Sequence, residues 1–218
     1  ARAPRLLERA ATYLLTRGEP QAATAPYERA YGVRREEFGD DHPDTLTSAS
    51  NLALNLWYLS EFERARALDE DTLTRRRRVL GEDAPDTLTS ASQLANDLLG
   101  LGNYRDYQRA LKLQSDALIR CRRVLGDDHP YTLSSASLLG LTFGSLGEHQ
   151  QARQLHENTY TRLRRVLGVD HPDTLSSAGR LAADLRALGE YQQARVLDED
   201  TLARRRRLLG DDHPDTLA

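Results

Sequence analysis

Apolar residues recur every three to four positions through most of the chain, and this pattern predicts amphipathic α-helices. One segment shows the pattern clearly, with an apolar stripe at Leu46, Ala49, Leu52, Ala53, Leu56 and Leu59. The stripe has the period of roughly 3.6 residues that one helix face requires. Pro43 suits the first helical position, where its missing N–H is not needed. We therefore predict a helix over residues 43–59, which we call helix A of its repeat.

A second helix, helix B, is predicted to follow each helix A after a short turn. In the same segment, its inward-facing residues are expected to be Phe62, Ala65, Leu68, Thr72, Val79 and Leu80. Gly81 is expected to end this helix as a left-handed cap. Helix A ends at a glycine in most copies, with Ser60 in that place here. Since no stretch indicates a β-strand, the two helices are predicted to form a hairpin.

The hairpin repeats along the chain. The phrase Gly-Asp-Asp-His-Pro-Asp-Thr-Leu begins at Gly39 and returns, with small changes, at positions 81, 126, 168 and 210. The copies lie 42 residues apart, except for one spacing of 45 that contains three extra residues around Tyr107. The predicted boundaries are a degenerate first repeat at 1–38, full repeats at 39–80, 81–125, 126–167 and 168–209, and the start of a further repeat at 210–218.

A single hairpin cannot bury its apolar face, so each repeat must stack on its neighbours. We predict one all-α domain over residues 1–218, a right-handed α-solenoid of stacked antiparallel helix pairs. The last copy stops just inside a new helix A, and the chain contains no methionine. We therefore expect a fragment of a longer protein, with a further repeat after this one.

Small residues recur at fixed places in the repeat. Helix A carries one of them at Ala53, Ala95, Gly140 and Ala182. Helix B carries another at Ala65, Ala110, Ala152 and Ala194. With the Gly-Glu-Tyr turn at 189–191, these positions resemble the tetratricopeptide repeat, and the 42-residue period with Leu-Gly-Asp-Asp-His-Pro-Asp-Thr-Leu resembles its kinesin-light-chain type. The resemblance implies a scaffold that binds a protein or peptide, and similar arrays occur in bacterial signalling proteins.

Composition narrows the class of protein. The chain has 218 residues, a net charge of −3 and 39% hydrophobic residues, which suffices for a packed core. No stretch approaches the roughly 20 apolar residues of a membrane span, and the near-neutral charge gives no support to a general attraction to nucleic acid or membrane. Cys121 is the single cysteine, which excludes an internal disulfide and fits a reducing cytoplasm. We expect a cytoplasmic protein.

Candidate chemistry is sparse. His42, His129, His171 and His213 each precede a repeat proline, but Ala84 breaks the series, and we interpret them as helix N-caps instead of metal ligands. His149 and His156 stand outside this series and are interpreted as isolated. Cys121 is expected to be partly buried and unreactive. No phosphate loop or nucleophile motif occurs. We predict no enzyme activity, catalytic residue, metal, cofactor or small-molecule substrate.

Arginines near the ends of helix B admit two interpretations. They form three columns across the repeats: Arg75/Arg120/Arg162/Arg204, Arg77/Arg122/Arg164/Arg206 and Arg78/Arg123/Arg165/Arg207. One turn before the first column stand Asp71, Asp116, Asn158 and Asp200. This acid-before-base order stabilises a helix by itself and favours a structural role. Binding of RNA or an acidic partner is the alternative.

The concave side of a tetratricopeptide array is where a partner would bind. Alignment of helix A with that family predicts this groove from Ser50, Asn51, Leu54, Trp57, Tyr58, Ser92, Gln93, Asn96, Leu99, Ser137, Leu138, Leu141, Arg180, Ala183 and Arg186. An asparagine at position 51 often holds a peptide backbone in that family, and here it becomes Gln93, Leu138 and Arg180 in later repeats. Trp57 is either a binding hot spot or a residue packed between repeats.

Three functions follow from these patterns. The favoured one is a non-enzymatic scaffold that binds a peptide in the groove, with an acidic preference near Arg180 and Arg186. The second is a nucleic-acid or polyanion binder that uses the arginine columns, although the sequence disfavours nucleic acid. The third is a self-associating module that forms a homo-oligomer through its open C-terminal end.

Overall fold

A computed structural model describes residues 2–217, and the side chains of all of these except residues 2, 215 and 217. The described residues contain helices and no strand. The helices are α1 (Arg2–Thr16), α2 (Pro20–Phe38), α3 (Pro43–Tyr58), α4 (Phe62–Leu80), α5 (Pro85–Gly100), α6 (Tyr104–Leu125), α7 (Pro130–Ser145), α8 (His149–Val166), α9 (Pro172–Ala187), α10 (Tyr191–Leu209) and α11 (Pro214–Leu217).

Helix A of each full repeat begins at its proline, as predicted, because proline fits the first helical turn. The preceding histidine caps the helix: Nδ1 of His42 accepts from the Asp44 backbone N–H at 3.1 Å. His129 and His171 make the same bond at 3.2 Å. The predicted capping role of these three histidines is therefore confirmed. Ala84 provides no side-chain cap.

The turns between helices depend on positive φ angles. Ser60 ends α3 with φ of 59°, where other repeats have glycine. Gly81 ends α4 with φ of 90° and ψ of 167°. The prediction of a left-handed cap there was wrong in detail, because this ψ is extended and lies in a region that only glycine enters without strain. The three extra residues near Tyr107 lengthen α6 to 22 residues, against 19 for α4.

The chain forms two compact units, Ala1–Leu113 and Gln114–Ala218. In the first unit α1 packs against α2, α2 against α3, α3 against α4 and α4 against α5, and α3 also contacts α5. The core here includes Ala23, Tyr27, Leu52, Leu56 and Ala65, all buried. Consecutive packing is what a stack of helix pairs requires, since each pair completes its core with its neighbour.

The second unit repeats this arrangement. Here α7 packs against α8, α8 against α9, α9 against α10 and α10 against α11, and α7 also contacts α9. Its core contains Leu181, Ala182, Leu185 and Ala194. The small residues of both helices are buried, which lets the helix backbones approach closely.

The inward face of helix B differs from the prediction at its end. In α4 the buried residues include Asp69, Leu73 and Arg76, which the apolar pattern did not select. Val79 and Leu80 were predicted to face inward, but they are 45% and 38% exposed. These two residues lie in the last turn of α4, beyond the part of the helix that its neighbours cover.

Candidate functional site

The predicted groove residues of α3 differ in exposure. Ser50 is buried and Asn51 is half-buried, whereas Leu54, Trp57 and Tyr58 are exposed. The Trp57 ring meets the Tyr58 ring edge-on, with 5.4 Å between centroids. With 38% of its surface exposed, Trp57 is available for contact with a partner. These three exposed residues form an apolar patch on the first unit.

The predicted groove residues of α5 are less accessible. All four are half-buried: Ser92, Gln93, Asn96 and Leu99. Ser92 Oγ donates to the backbone oxygen of Leu88 at 3.2 Å, so its hydroxyl is engaged within the helix. Gln93 Oε1 is buried and has no hydrogen-bond partner among the described residues.

In the second unit, the predicted groove residues of α7 and α9 meet. Ser137 is buried, and its hydroxyl accepts a hydrogen bond from Arg180 Nη1. Arg180 is half-buried, and burial lowers the pKa of its guanidinium. Asp173 acts on this charge, but Arg180 makes no ion pair within the described part of the chain. The site therefore holds a partly desolvated cation without a bound carboxylate.

Apolar and charged groups surround this guanidinium. Leu138 is half-buried, and Leu141, Ala183 and Arg186 are exposed. Arg186 Nη1 donates to Asp198 on α10, so its charge is neutralised. Arg180 is therefore the groove arginine whose charge is left for a partner.

A cavity of about 900 Å³ opens in the second unit beside this cluster. Its lining includes four predicted groove residues: Leu141, Arg180, Ala183 and Arg186. Its other wall is α10, including Thr201, Leu202 and Arg205, with Thr216 of α11 at one side. The residues at the same register of α4 are Thr72, Leu73 and Arg76, which are buried in the first unit. The α10 wall is thus a repeat-stacking surface, and only the α7–α9 side resembles the predicted groove.

Most arginines of the columns contact carboxylates, whereas Arg164 lies over the Tyr160 ring, 5.3 Å from its centroid. Of the pairs predicted one turn apart, Arg75 Nε lies 2.6 Å from Asp71 Oδ2, Arg204 Nε lies 2.8 Å from Asp200 Oδ2, and Arg162 Nε donates to Asn158 Oδ1 at 2.9 Å.

A second contact, which we call the aspartate clamp, joins the start of a repeat to its own helix B: Asp41 accepts from both Arg75 and Arg78, at 3.1 and 2.5 Å. Hydrogen bonds from these two arginines lower the pKa of the Asp41 carboxyl, and the bond from Arg78 has the larger effect.

The same clamp recurs in the second unit. Asp128 accepts from Arg162 and Arg165 at 2.8 and 2.5 Å. These hydrogen bonds lower the pKa of its carboxyl, and the bond from Arg162 has the largest effect. Asp170 binds Arg204 and Arg207 in the same way, at 2.9 and 2.8 Å. Because one aspartate joins two arginines of the next helix B, the columns have a structural role that the sequence already favoured.

A fourth arginine position was missed by the sequence analysis, because arginine is seldom buried. Arg34 is 5% exposed, and its Nη2 lies 2.8 Å from Glu8 Oε2. Arg76 is 4% exposed, and its Nη1 donates to Ser90 Oγ at 2.7 Å. Cys121 occupies this register in the next repeat and is buried, which raises the pKa of its thiol. The prediction that Cys121 is partly buried understated its burial.

Buried polar pairs also join successive repeats. Thr142 Oγ1 donates to Gln114 Oε1, and His156 Nδ1 lies 2.5 Å from Asp184 Oδ2. His156 Nε2 lies 3.0 Å from the backbone oxygen of Ser137, so both ring nitrogens have an acceptor. The prediction that His156 is isolated was wrong, because its partners come from two other stretches of the chain. In the described residues, no group of three or more ligating side chains could hold a metal ion.

Matches to two protein-family models identify these helix pairs. One tetratricopeptide repeat model matches residues 2–78, 49–106 and 105–165, and a second matches 174–215. The chain belongs to the tetratricopeptide repeat family. A tetratricopeptide repeat protein is in general a scaffold for protein–protein interaction, and the all-α fold class predicted from the sequence is confirmed.

Solved structures give the type of repeat. A structure of nearly identical TPR-like repeats from a candidate kinesin light chain of Podosopora anserina matches with a TM-score of 0.79 and 24% identity, over 96% of this chain and 99% of that chain. BtubC (BKLC) from P. vanneervenii matches with a TM-score of 0.75 and 22% identity, over 94% and 80%. The tetratricopeptide repeats here are thus of the kinesin-light-chain-like type in fold, as predicted.

A more distant likeness concerns a Rap protein complexed with Competence and Sporulation Factor. Its TM-score is 0.77 at 11% identity, over 93% of this chain and 54% of that chain. A search of curated proteins finds no match. Over the helices described, none is both long and apolar enough to cross a membrane.

Proposed function

We propose that this tetratricopeptide repeat protein binds an extended peptide segment through the helix A surface of each unit. In the second unit, the peptide would place an acidic side chain on Arg180 and an apolar side chain against Leu138 and Leu141. In the first unit, Leu54, Trp57 and Tyr58 would supply apolar anchors.

The main support for the proposal is that the Arg180 guanidinium is half-buried and has no carboxylate partner among the described residues. A half-buried charge without a paired carboxylate is costly, and a ligand carboxylate would form a charge-assisted hydrogen bond with it. The exposed Leu141 side chain lies on the same cavity, so a neighbouring apolar residue of the peptide has a surface to cover. The Rap protein complexed with Competence and Sporulation Factor supports the idea that this fold can hold a partner.

The proposal excludes a small-molecule substrate and does not use the arginine columns, because their carboxylate partners leave little charge for nucleic acid. Self-association through the open C-terminal end stays a prediction. A signalling role in the cytoplasm is proposed only from the resemblance to bacterial signalling arrays.

Peptide selection tests the proposal. A random library of peptides about twelve residues long, displayed on phage, is selected on the full chain and on the Arg180→Gln variant. We expect the wild-type protein to enrich Asp or Glu next to a large apolar residue, and Arg180→Gln to lose the acidic preference. Arg153→Gln is the matched control, because Arg153 is also half-buried, is already paired with Glu190 at 2.8 Å and lies outside the lining of the cavity. Identical enrichment on all three proteins, or none, would reject the proposal.

A further inference from the structure

Two buried carboxyl groups meet where α4 packs against α5. Asp69 and Asp97 are 1% and 2% exposed, and they lie at the register where Gln114 meets Thr142 and His156 meets Asp184 in the later repeats. Asp69 Oδ1 and Asp97 Oδ2 have no hydrogen-bond donor among the described residues. An ionised carboxylate can only accept, so a hydrogen bond between two carboxyl groups requires a proton on one of them.

The surroundings of Asp69 and Asp97 favour the protonated form of these carboxyl groups. Burial raises the pKa of Asp69, and the neighbouring Asp97 charge raises it further. Burial also raises the pKa of Asp97, against a smaller opposing effect of its hydrogen bond with Asp69. Arg76, on α4, is the cation that acts on the pair, and its Nη1 is engaged with Asp86 O and Ser90 Oγ at 3.1 and 2.7 Å. In the described residues, α3 and α5 add no cation that acts on the pair.

The other repeats show that this arrangement is particular to one interface. At the same register, Gln114 pairs with Thr142, and His156 pairs with Asp184. Both of these pairs contain a donor without any need for a protonated carboxyl group. Only the α4–α5 interface, within the described residues, places two acids against each other.

We propose that Asp69 and Asp97 form a proton-binding site that holds α4 against α5, and that release of the proton to solvent at alkaline pH loosens this repeat interface. Two carboxylates at hydrogen-bonding distance repel when both are ionised, and burial leaves no water to screen them. The interface is therefore stable while one proton is shared and weak once it is lost.

The sign of the pH dependence follows from linkage. In the unfolded chain both carboxyl groups have ordinary pKa values of about 4, so the folded state binds the proton more tightly. The stabilisation is complete below about pH 4 and is lost as the pH rises through the raised folded-state pKa values. Over that range, the folding equilibrium constant falls by up to about tenfold per pH unit for each proton held.

The chain offers a matched control. The double variant Asp69→Gln/Asp97→Thr installs the uncharged pair that residues 114 and 142 form at the same register. Urea denaturation of both full-length proteins is measured from about pH 5 to about pH 9. We expect the folding constant of the wild-type protein to fall relative to that of the double variant, by up to about tenfold per pH unit. Parallel pH profiles would overturn the proposal.

A second measurement does not depend on a variant. Native-state hydrogen exchange of the wild-type chain, corrected for intrinsic rates, is followed over the same pH range. Protection of α4 and α5 amides is expected to fall with rising pH, while protection of α1 and α2, joined by the hydrogen bond between the hydroxyl groups of Thr12 and Tyr27 at 3.0 Å, is expected to fall less. A uniform response of all helices would contradict the proposal. A response that disappears with a chelator would assign the site to a metal ion and also overturn it.

Discussion

Gly140 lies against the buried ring of His156, and its replacement by alanine gives a sharp test of the packing between α7 and α8. A Cβ at Gly140 would lie 2.4 Å from Nε2 and 2.8 Å from Cδ2 and Cε1 of the ring. The ring cannot move aside freely, because it is 1% exposed and its nitrogens contact Asp184 and the backbone oxygen of Ser137. Gly140→Ala therefore forces these contacts to change.

The magnitude is a balance of three effects. Alanine in place of a helical glycine gains about 1 kcal/mol of helix propensity. Overpacking a core costs about 1–3 kcal/mol, and unpairing a buried hydrogen bond costs about 1–3 kcal/mol. We expect Gly140→Ala to lower the free energy of unfolding by about 3 kcal/mol, within a range of about 1–5 kcal/mol, measured by urea denaturation.

Gly179 provides the matched control in α9, since no atom lies within 4 Å of a Cβ built there. Gly179→Ala is expected to raise the free energy of unfolding by about 0.5–1 kcal/mol. His156→Gln should partly relieve Gly140→Ala, because Gln114 accompanies Ala95 at this register in the preceding repeat. Equal effects of the two glycine substitutions, or strict additivity of Gly140→Ala and His156→Gln, would refute this account of the packing.

Three further predictions concern the caps, the clamps and the thiol. Ala84→His should add the missing cap of α5 and stabilise the fold by about 0.5–1 kcal/mol in urea denaturation at about pH 8, whereas His129→Ala should cost a similar amount. Asp128→Asn should lower the urea midpoint of unfolding at low salt, because the contact of Asp128 with Arg162 is lost. The difference from the wild-type protein should fade in about 1 M salt and below about pH 4. A loss that does not depend on salt would contradict this. Cys121 should react with a thiol reagent only at the rate of unfolding, and rapid labelling of the native protein would contradict its burial.

The repeated motif predicted the fold well because its signals are local. Proline fixes the backbone angle of the first helical turn, so the start of α3 at Pro43 follows from one residue and its neighbours. The need for a positive φ at the end of helix A likewise follows from a glycine at that place in most copies, although Ser60 adopts it too. Such features require no knowledge of the rest of the chain.

The buried polar contacts could not be predicted in this way. Asp69 and Asp97 lie 28 positions apart on different helices, and the position of the second depends on the register of stacking. The burial of Arg76 was not predicted because arginine seldom enters a core, yet Ser90 and the backbone oxygen of Asp86 accept hydrogen bonds from it there. For the groove, the pattern placed Leu141 and Arg180 on one surface, but it could not show that Arg180 has no carboxylate partner among the residues that the structure describes.

The central claim is that the helix A surface around Arg180 binds a partner segment. Methyl-labelled NMR spectra of the full chain, recorded while a selected acidic peptide is added, test it most directly. The account predicts shifts of the methyl signals of Leu138, Leu141 and Ala183, and no shift of the buried Ala152, with all changes lost in Arg180→Gln. Shifts confined to the helix B ends, or unchanged by Arg180→Gln, would contradict it.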